Sequence, residues 1–326
     1  MTAQPIVHAE GLSFSYGTHR ALDNVSFSVH HGEIFGLLGP NGSGKSTLNS
    51  LLATLVRPQS GRLELFGLDP WSRQVEVRRR LGVLFQSPAV DRKLTAWENL
   101  EHHGHLFGMR GAELREAIGA ALEAFGVADR AHDRVEKLSG GLRRRVELAK
   151  CLLPGADLLI LDEPSAGLDP LSAEAFWQVL QTVVRERGVT VVVTTHVLEE
   201  AEQCNRLGLL HRGQLLAEGS PQELKARLGG QIISMRPAAS PEALCQRAIE
   251  VFGLPDARVQ GGLVQATLLG PAHQQIALIM EAAGPEILEI TIGQPNLRNV
   301  FAHVAGEDVS WGEQAAPAPV AAAARH

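Results

Sequence analysis

Nine consecutive residues, Gly39-Pro-Asn-Gly-Ser-Gly-Lys-Ser-Thr47, constrain the fold of this chain more than any other feature. They follow a short apolar segment, Ile34–Leu38, which predicts a strand, and a helix is predicted to begin near Lys45. The pattern Gly-x4-Gly-Lys-Ser/Thr between a strand and a helix is that of a phosphate-binding loop. Its glycines let backbone N–H groups turn inward around an anion, and the positive end of the helix dipole adds to the attraction.

Two side chains of this loop carry the predicted chemistry. Lys45 supplies a point charge to the β- and γ-phosphates of a nucleotide, and Ser46 offers a hydroxyl to Mg²⁺. An ordinary glycine-rich turn is the alternative, but such a turn does not need every position of the pattern to be filled. We therefore predict a nucleotide-binding loop formed by Gly39, Pro40, Asn41, Gly42, Ser43, Gly44, Lys45, Ser46 and Thr47.

The apolar segments of the first part of the chain predict two kinds of sheet. Residues in the first thirty positions alternate between apolar and polar, which is typical of half-exposed antiparallel strands. Later strands lack this alternation, as expected for strands buried on both faces of a parallel sheet, and they cover 34–38, 81–85, 158–161 and 189–193. Helical patterns at 113–125 and 173–187 lie between them, so a mainly parallel α/β sheet is predicted.

Polar residues follow several of these buried strands at the point where each strand ends. Gln86 follows the second strand, Asp162 and Glu163 follow the third, and His196 follows the fourth. Because ligands of open α/β sheets bind at the carboxyl ends of the strands, we expect these residues to converge. Asp162 is predicted to hold Mg²⁺ directly or through water, and Glu163 to orient or deprotonate an attacking water.

A second anion-binding turn is predicted at Leu138-Ser-Gly-Gly-Leu142, which opens a helix. One nucleotide has one set of terminal phosphates, so two such turns in one domain need an explanation. Either the chain binds a second anion, or each turn serves a nucleotide on a different protomer.

Charge and composition argue against several classes of function. The net charge is −6, and the three-residue arginine runs at 78–80 and 143–145 are typical of solvated helix faces rather than of phosphate contacts. We therefore expect no nucleic-acid partner. No apolar run is long enough to span a bilayer, and no secretory leader is expected. The three cysteines, without metal-ligand spacing, fit a reducing cytoplasm.

The C-terminal third predicts a separate small domain. Ser220-Pro-Gln-Glu223 predicts a capped helix that runs to about Leu228 and stops at two glycines, so the first domain is placed at 1–229. Residues 230–306 follow the order β-α-β-β-α-β, which predicts a ferredoxin-like α+β module. The Ala- and Pro-rich stretch 307–326 predicts a disordered tail.

Taken in order, these motifs resemble those of ATP-binding cassette (ABC) ATPases over residues 10–225. Residues 39–47 look like the Walker A motif and Leu158–Asp162 like the Walker B motif. Tyr16 is similar to the adenine-stacking aromatic, Gln86 to the Q-loop and His196 to the switch histidine. Glu163 is similar to the catalytic glutamate and Asp169 to the aspartate of the D-loop. The signature is matched by Leu138, Ser139, Gly140 and Gly141.

The resemblance implies a fold, cofactors and roles for these residues. It implies an ABC-type P-loop NTPase fold, in which a mainly parallel sheet carries an antiparallel β subdomain and an α-helical subdomain. It also implies ATP and Mg²⁺ as cofactors, with Ser46, Gln86 and Asp162 near the metal. The signature would complete the nucleotide site of a second copy. Leu142 departs from the residues common after the two signature glycines, and Tyr16 could instead pack the small β-sheet.

Two further segments, 90–100 and 295–301, resemble the daunorubicin/multidrug-resistance type of ATPase subunit. That resemblance implies an exporter motor that forms a nucleotide-sandwich homodimer and powers a separate ABC-2-type permease. It would act in the cytoplasm, on the inner face of the cell membrane. An importer subunit is one alternative, and a soluble ABC ATPase acting on nucleic acid or ribosomes is another. The C-terminal domain could be regulatory or ligand-binding, or serve as a packing or dimer contact.

Overall fold

The protein is described by a computed structural model that covers residues 4–269 and 272–306. The described residues separate into two compact units, 4–218 and 219–306. The tail predicted at 307–326 lies outside the described residues. None of the helices in the described ranges has the length and the apolar character that a bilayer-spanning segment needs.

The first unit alternates strands and helices as the sequence predicts. In chain order its elements are β1 (Val7–Tyr16), β2 (His19–Val29), β3 (Ile34–Leu38), α1 (Lys45–Leu52), β4 (Ser60–Leu65), α2 (Gln74–Arg79), β5 (Leu81–Leu84), α3 (Ala96–Leu106), α4 (Gly111–Ala124), α5 (Gly140–Leu152), β6 (Leu158–Asp162), α6 (Pro170–Arg187), β7 (Thr190–Thr195), α7 (Leu198–Ala201), β8 (Arg206–His211) and β9 (Gln214–Gly219).

A six-stranded sheet with the order β5-β6-β7-β3-β8-β9 forms the centre of this unit. The strands β5, β6, β7, β3 and β8 run parallel, and all five residues of β3 are buried. The four apolar segments without alternation are therefore strands buried on both faces, which confirms the prediction. β7 extends past its apolar run through Thr194 and Thr195, whose buried hydroxyls are hydrogen-bonded.

A three-stranded antiparallel sheet with the order β2-β1-β4 packs its apolar face into the same hydrophobic core. β1 pairs with β2 in a register that places Val7 opposite Val29, and both side chains are fully buried. Alternate residues of these strands point to the core, so the predicted antiparallel strands are confirmed.

The helices of this unit begin and end at residues suited to their positions. Thr95 and Glu98 form a capping box at the start of α3. Asp169 caps α6, Pro170 takes its first position, and Gly188 ends it in the left-handed conformation. These caps fix the helix ends that flank the parallel sheet.

The second unit contains a four-stranded antiparallel sheet with the order β11-β12-β10-β13. Its elements are α8 (Pro221–Leu228), β10 (Gln231–Pro237), α9 (Pro241–Glu250), β11 (Arg258–Gln260), β12 (Leu263–Leu268), α10 (Ala272–Ala283), β13 (Ile287–Gly293) and α11 (Leu297–Ala305). From β10 to β13 the element order is the predicted β-α-β-β-α-β. Its core includes Ile233, Met235, Leu244 and Val264.

The boundary between the units lies before α8, whereas the sequence placed it after this helix, at residue 229. The capping box of Ser220 and Glu223 forms as predicted, but α8 packs with α11 and so groups with the second unit. α11 itself, capped by Asn296, was not predicted as a helix.

Candidate nucleotide site

The loop between β3 and α1 has a backbone that only glycine accommodates at two positions. A Cβ atom on Gly39 would lie 2.2 Å from the Leu210 carbonyl oxygen. Gly44 has a φ of 107°, and a Cβ atom there would lie 2.6 Å from the Ala21 carbonyl oxygen. A side chain at either position would therefore displace neighbouring backbone, which accounts for the glycines of the pattern.

Lys45 is held inside this loop. Its side chain is 5% exposed, and Nζ donates hydrogen bonds to the carbonyl oxygens of Gly39, at 2.7 Å, and Pro40, at 3.0 Å. The ammonium lies 3.8 Å from Glu163 Oε1. Burial lowers the pKa of Lys45, against the opposite effect of the carboxylates of Glu163 and Asp162.

Asp162, at the end of β6, is fixed by two side chains that lie outside the sequence motifs. Its Oδ1 accepts hydrogen bonds from Thr194 Oγ1 at 2.6 Å and from Asn49 Nδ2 at 3.0 Å. Asn49 is only 2% exposed. The sequence signal for this contact is an asparagine at a core-facing position of the helix that follows the phosphate-binding loop. An amide at such a position needs a polar partner.

Glu163 follows Asp162 in a strained backbone conformation. Its φ is 45°, in the left-handed region, which costs a residue other than glycine about 1–3 kcal/mol. The Glu163 N–H donates to the carbonyl oxygen and to Oγ1 of Thr194, both at 3.2 Å. Such strain persists only where the surrounding structure holds it, and it concentrates at functional sites.

Three predicted side chains, those of Lys45, His196 and Gln86, surround the carboxylate of Glu163. His196 Nδ1 lies 2.9 Å from Oε1, and Gln86 Nε2 donates a long hydrogen bond of 3.5 Å to Oε2. The hydrogen bond from His196 lowers the pKa of Glu163, with burial acting in the opposite direction. The same hydrogen bond raises the pKa of His196. The pair therefore favours an ionised Glu163 beside a protonated imidazole.

These residues open into one cleft of about 1640 Å³. The predicted site residues that line it are Tyr16, Asn41, Gly42, Gly44, Lys45, Ser46, Thr47, Gln86, Asp162, Glu163 and His196. Gly39, Pro40 and Ser43 belong to the turn of the loop and do not line the cleft. Tyr16 is 54% exposed, and its ring meets Phe14 edge-on at 4.9 Å, which leaves room for a stacking ligand.

Comparison with known proteins identifies the family. Residues 22–166 match the sequence model of the ABC transporter family. The daunorubicin resistance ATP-binding protein DrrA3 of Streptomyces coeruleorubidus is 35% identical over 94% of this chain and 98% of its own length. The chain belongs to the ABC transporter family. Its first unit is thus an ABC ATPase cassette.

Two other similar proteins match about two thirds of this chain. The probable multidrug ABC transporter ATP-binding protein YbhF of Escherichia coli K12 is 41% identical over 69% of this chain, which spans 39% of YbhF. The ATP-binding cassette MJ0796, solved as a dimer in a post-hydrolysis state with ADP and Pi, is 29% identical, with a TM-score of 0.58. That match covers 66% of this chain and 98% of the solved one.

The turn predicted to be the signature lies outside the cleft. None of Leu138, Ser139, Gly140 and Gly141 lines it. Ser139 caps α5 by accepting the Leu142 N–H at 3.3 Å, so the unusual Leu142 contributes a backbone group to the turn. A Cβ atom on Gly141 would lie 3.2 Å from Ser172 of α6, which keeps this turn tight.

Asp169, the D-loop aspartate of the ABC resemblance, also lies outside the cleft. Its carboxylate accepts hydrogen bonds from Ser172 N at 3.0 Å and from Ser172 Oγ at 2.6 Å. Its neighbours Leu168 and Pro170 line the cleft. Within this chain Asp169 therefore acts as the cap of α6.

The expectation that the arginine run 143–145 is a solvated helix face is wrong for its central residue. The Arg144 side chain is only 10% exposed and forms an ion pair of 2.8 Å with Glu147, which is 4% exposed. A run of like charges resembles a solvated face in sequence, but here carbonyl groups next to Glu163 and Gln86 accept the guanidinium hydrogen bonds.

Proposed function

We propose that this chain binds and hydrolyses ATP with Mg²⁺ and thereby powers export through a separate membrane permease. One observation carries the proposal. The Glu163 carboxylate lies within 4 Å of His196, Gln86 and Lys45, at the mouth of a loop built to cradle phosphates. A carboxylate placed beside a phosphate-binding lysine is positioned to act on the water that attacks the terminal phosphate.

Each side chain has a distinct part in this proposal. Lys45 neutralises charge on the terminal phosphates, and Glu163 orients the attacking water and accepts its proton. His196 holds the Glu163 carboxylate and keeps it ionised, through the 2.9 Å contact. Tyr16 stacks on the adenine with its exposed face.

The oxygen donors of the cleft fit Mg²⁺. The Ser46 hydroxyl, the Gln86 amide oxygen and the Asp162 carboxylate are hard ligands of the kind Mg²⁺ takes together with phosphates. Thr194 and Asn49 engage Asp162 Oδ1, and Oδ2 accepts no hydrogen bond from the described residues. When bound, Mg²⁺ would neutralise charge that develops on the phosphate oxygens.

Export is supported by the relatives that this chain resembles over much of its length. DrrA3 is named for daunorubicin resistance, and YbhF as a probable multidrug ABC transporter ATP-binding protein. We infer that the partner is an ABC-2-type permease and that the chain acts from the cytoplasm, attached to the inner face of the membrane through that permease. No described helix could itself span the bilayer.

Two copies of the chain are proposed to share their nucleotide sites. The signature turn caps a helix whose N-terminal end can bind an anion, yet it does not line the cleft of its own chain. The similar cassette MJ0796 was solved as a dimer. In a nucleotide-sandwich homodimer, the signature turn of each copy would complete the site formed by Lys45 of the other.

For the second unit we propose the ferredoxin-like class, supported by the element order β-α-β-β-α-β and the sheet order β11-β12-β10-β13.

Transport tests this function directly. The chain would be expressed with an ABC-2-type permease encoded beside it, and inside-out vesicles would be supplied with ATP, Mg²⁺ and daunorubicin or other amphiphilic drugs. We expect ATP-dependent accumulation of at least one drug, and its loss in the Glu163→Gln variant. Transport only in the opposite direction would contradict export, and ATP-independent transport would contradict the proposed motor.

A further inference from the structure

The buried ion pair of Arg144 and Glu147 on α5 has no part in the function proposed so far. Both side chains are almost fully removed from solvent and lie 2.8 Å apart. Burying two charges is costly, and apolar residues of similar size often serve stability equally well. The contacts that this pair makes beyond itself therefore indicate what it does.

Arg144 directs its guanidinium at backbone carbonyl groups from two loops. Nε donates to Pro164 O at 2.6 Å, and Nη2 lies 3.5 Å from Glu163 O. Nη1 donates to Phe85 O at 3.3 Å as well as to Glu147. A planar guanidinium with five N–H donors can make these contacts at once, which a lysine ammonium cannot do in the same geometry.

Glu147 and Lys150 hold the other end of the loop that contains Gln86. The Ala89 N–H donates to Glu147 Oε1 at 2.9 Å, and Lys150 Nζ donates to Ala89 O. Phe85 and Ala89 flank Gln86, so α5 fixes this loop on both sides.

The strained backbone at Glu163 is likewise held on both sides. Thr194 accepts the Glu163 N–H, while Arg144 engages the carbonyl groups of Glu163 and Pro164. A residue with a φ of 45° relaxes toward ordinary conformations unless its neighbours prevent it. Such relaxation would turn the Glu163 carboxylate away from Lys45.

We infer that Arg144, held in place by Glu147, is a positioning residue for ATP hydrolysis. Arg144 fixes the backbone that orients the Glu163 carboxylate, and it also fixes the loop that carries Gln86. This inference rests on the proposed hydrolysis. Among the described residues, Arg144 forms its hydrogen bonds with Phe85, Glu147, Glu163 and Pro164, none of which belongs to the phosphate-binding loop. Its loss should therefore lower kcat through Glu163 and leave ATP affinity unchanged.

The double variant Arg144→Met/Glu147→Leu separates positioning from stability. Apolar side chains of similar size replace the buried charges, so no uncompensated charge is left and the double variant should remain folded. Because the carbonyl contacts disappear, kcat should fall at least about tenfold, while the Kd for ATP stays within about twofold. Arg115→Ala is the matched control, since Arg115 is exposed on α4 and forms no hydrogen bond or ion pair with the described residues.

Arg144→Lys gives a second measurement that does not depend on the double variant folding. It retains a positive charge beside Glu147 but not the guanidinium fork, so kcat should fall between that of the wild type and that of the double variant. Hydrogen exchange should also become faster at the Ala89 amide in Glu147→Leu, a result that needs no catalysis.

Wild-type kcat in a folded double variant would overturn the inference, and so would wild-type kcat in Arg144→Lys if the double variant does not fold. A parallel fall in kcat and ATP affinity would also overturn it, because it would show a general structural role. A wild-type protein without ATP turnover would contradict the proposed function itself. Wild-type turnover combined with an unaffected double variant would contradict the inference alone.

Discussion

His196 Nδ1 lies 2.9 Å from Glu163 Oε1, the carboxylate oxygen that also lies 3.8 Å from the Lys45 ammonium. The hydrogen bond from His196 lowers the pKa of Glu163, and the same bond raises the pKa of His196. One carboxylate oxygen is thus shared between the imidazole and the lysine of the phosphate-binding loop. This sharing makes the stability of the nucleotide-free protein depend on pH.

The contribution of the His196–Glu163 pair to the free energy of unfolding should be largest in mildly acidic solution. The raised pKa of His196 means that its stabilisation is complete below the unfolded value of 6.5 and is lost as pH rises through the folded pKa. The lowered pKa of Glu163 means that its stabilisation is complete above 4.5 and is lost at lower pH. His196→Ala should therefore lower the melting temperature more at pH 6 than at pH 8.5, without nucleotide. An equal decrease at both pH values would contradict this account.

Lys45→Ala should weaken nucleotide binding. The variant removes a charge that faces the phosphates, and hydrogen bonds to charged groups are worth about 1.5–3 kcal/mol, so the Kd for ATP should rise roughly 10- to 100-fold. Equilibrium binding of a fluorescent ATP analogue measures the change. Arg115→Ala is a suitable control, and unchanged affinity in Lys45→Ala would remove this residue from the site.

Tyr16→Ala distinguishes stacking from packing. The exposed ring should stack on adenine, so the variant should weaken ATP binding and affect inorganic triphosphate much less. Competition of both ligands against the same fluorescent analogue gives the two affinities. Equal weakening of ATP and triphosphate would assign Tyr16 to packing with Phe14 instead.

Mixing two inactive variants tests whether the sites are shared between copies. Lys45→Ala and Ser139→Ala are each expected to be inactive as homodimers. If Lys45 of one copy and Ser139 of the other build each site, a mixed dimer has one site with both defects and one intact site. ATPase activity should then return on mixing. Doping wild-type chains with each mutant controls for subunit exchange and for activity of a single intact site; with those controls passed, no recovery would contradict shared sites.

Local pattern predicts the parallel strands and the phosphate-binding loop well. β3 and β6 are runs of apolar residues because they are buried on both faces, and Gly39 and Gly44 are glycines because neighbouring backbone leaves no space for a Cβ atom. These causes act on the residues themselves, so they are visible in the sequence.

Contacts between side chains from distant segments of the chain cannot be predicted from the local sequence. Asn49 and Thr194 meet Asp162 only because α1, β6 and β7 are brought together by the sheet. Arg144 lies in a charged run that resembles a solvated face, and its burial depends on two loops far away in sequence. The position of α8 likewise follows from its packing with α11.

ATP turnover and ATP binding in Glu163→Gln test whether Glu163 is the general base of ATP hydrolysis. Glutamine retains the shape of the side chain but cannot accept a proton from water, and loss of a general base lowers rates about 10²–10⁴-fold. Binding should persist, because Tyr16, Lys45 and Ser46 remain. We expect steady-state ATPase activity to fall to that extent while the Kd for ATP stays nearly unchanged. Turnover close to that of the wild type would exclude Glu163 as the general base.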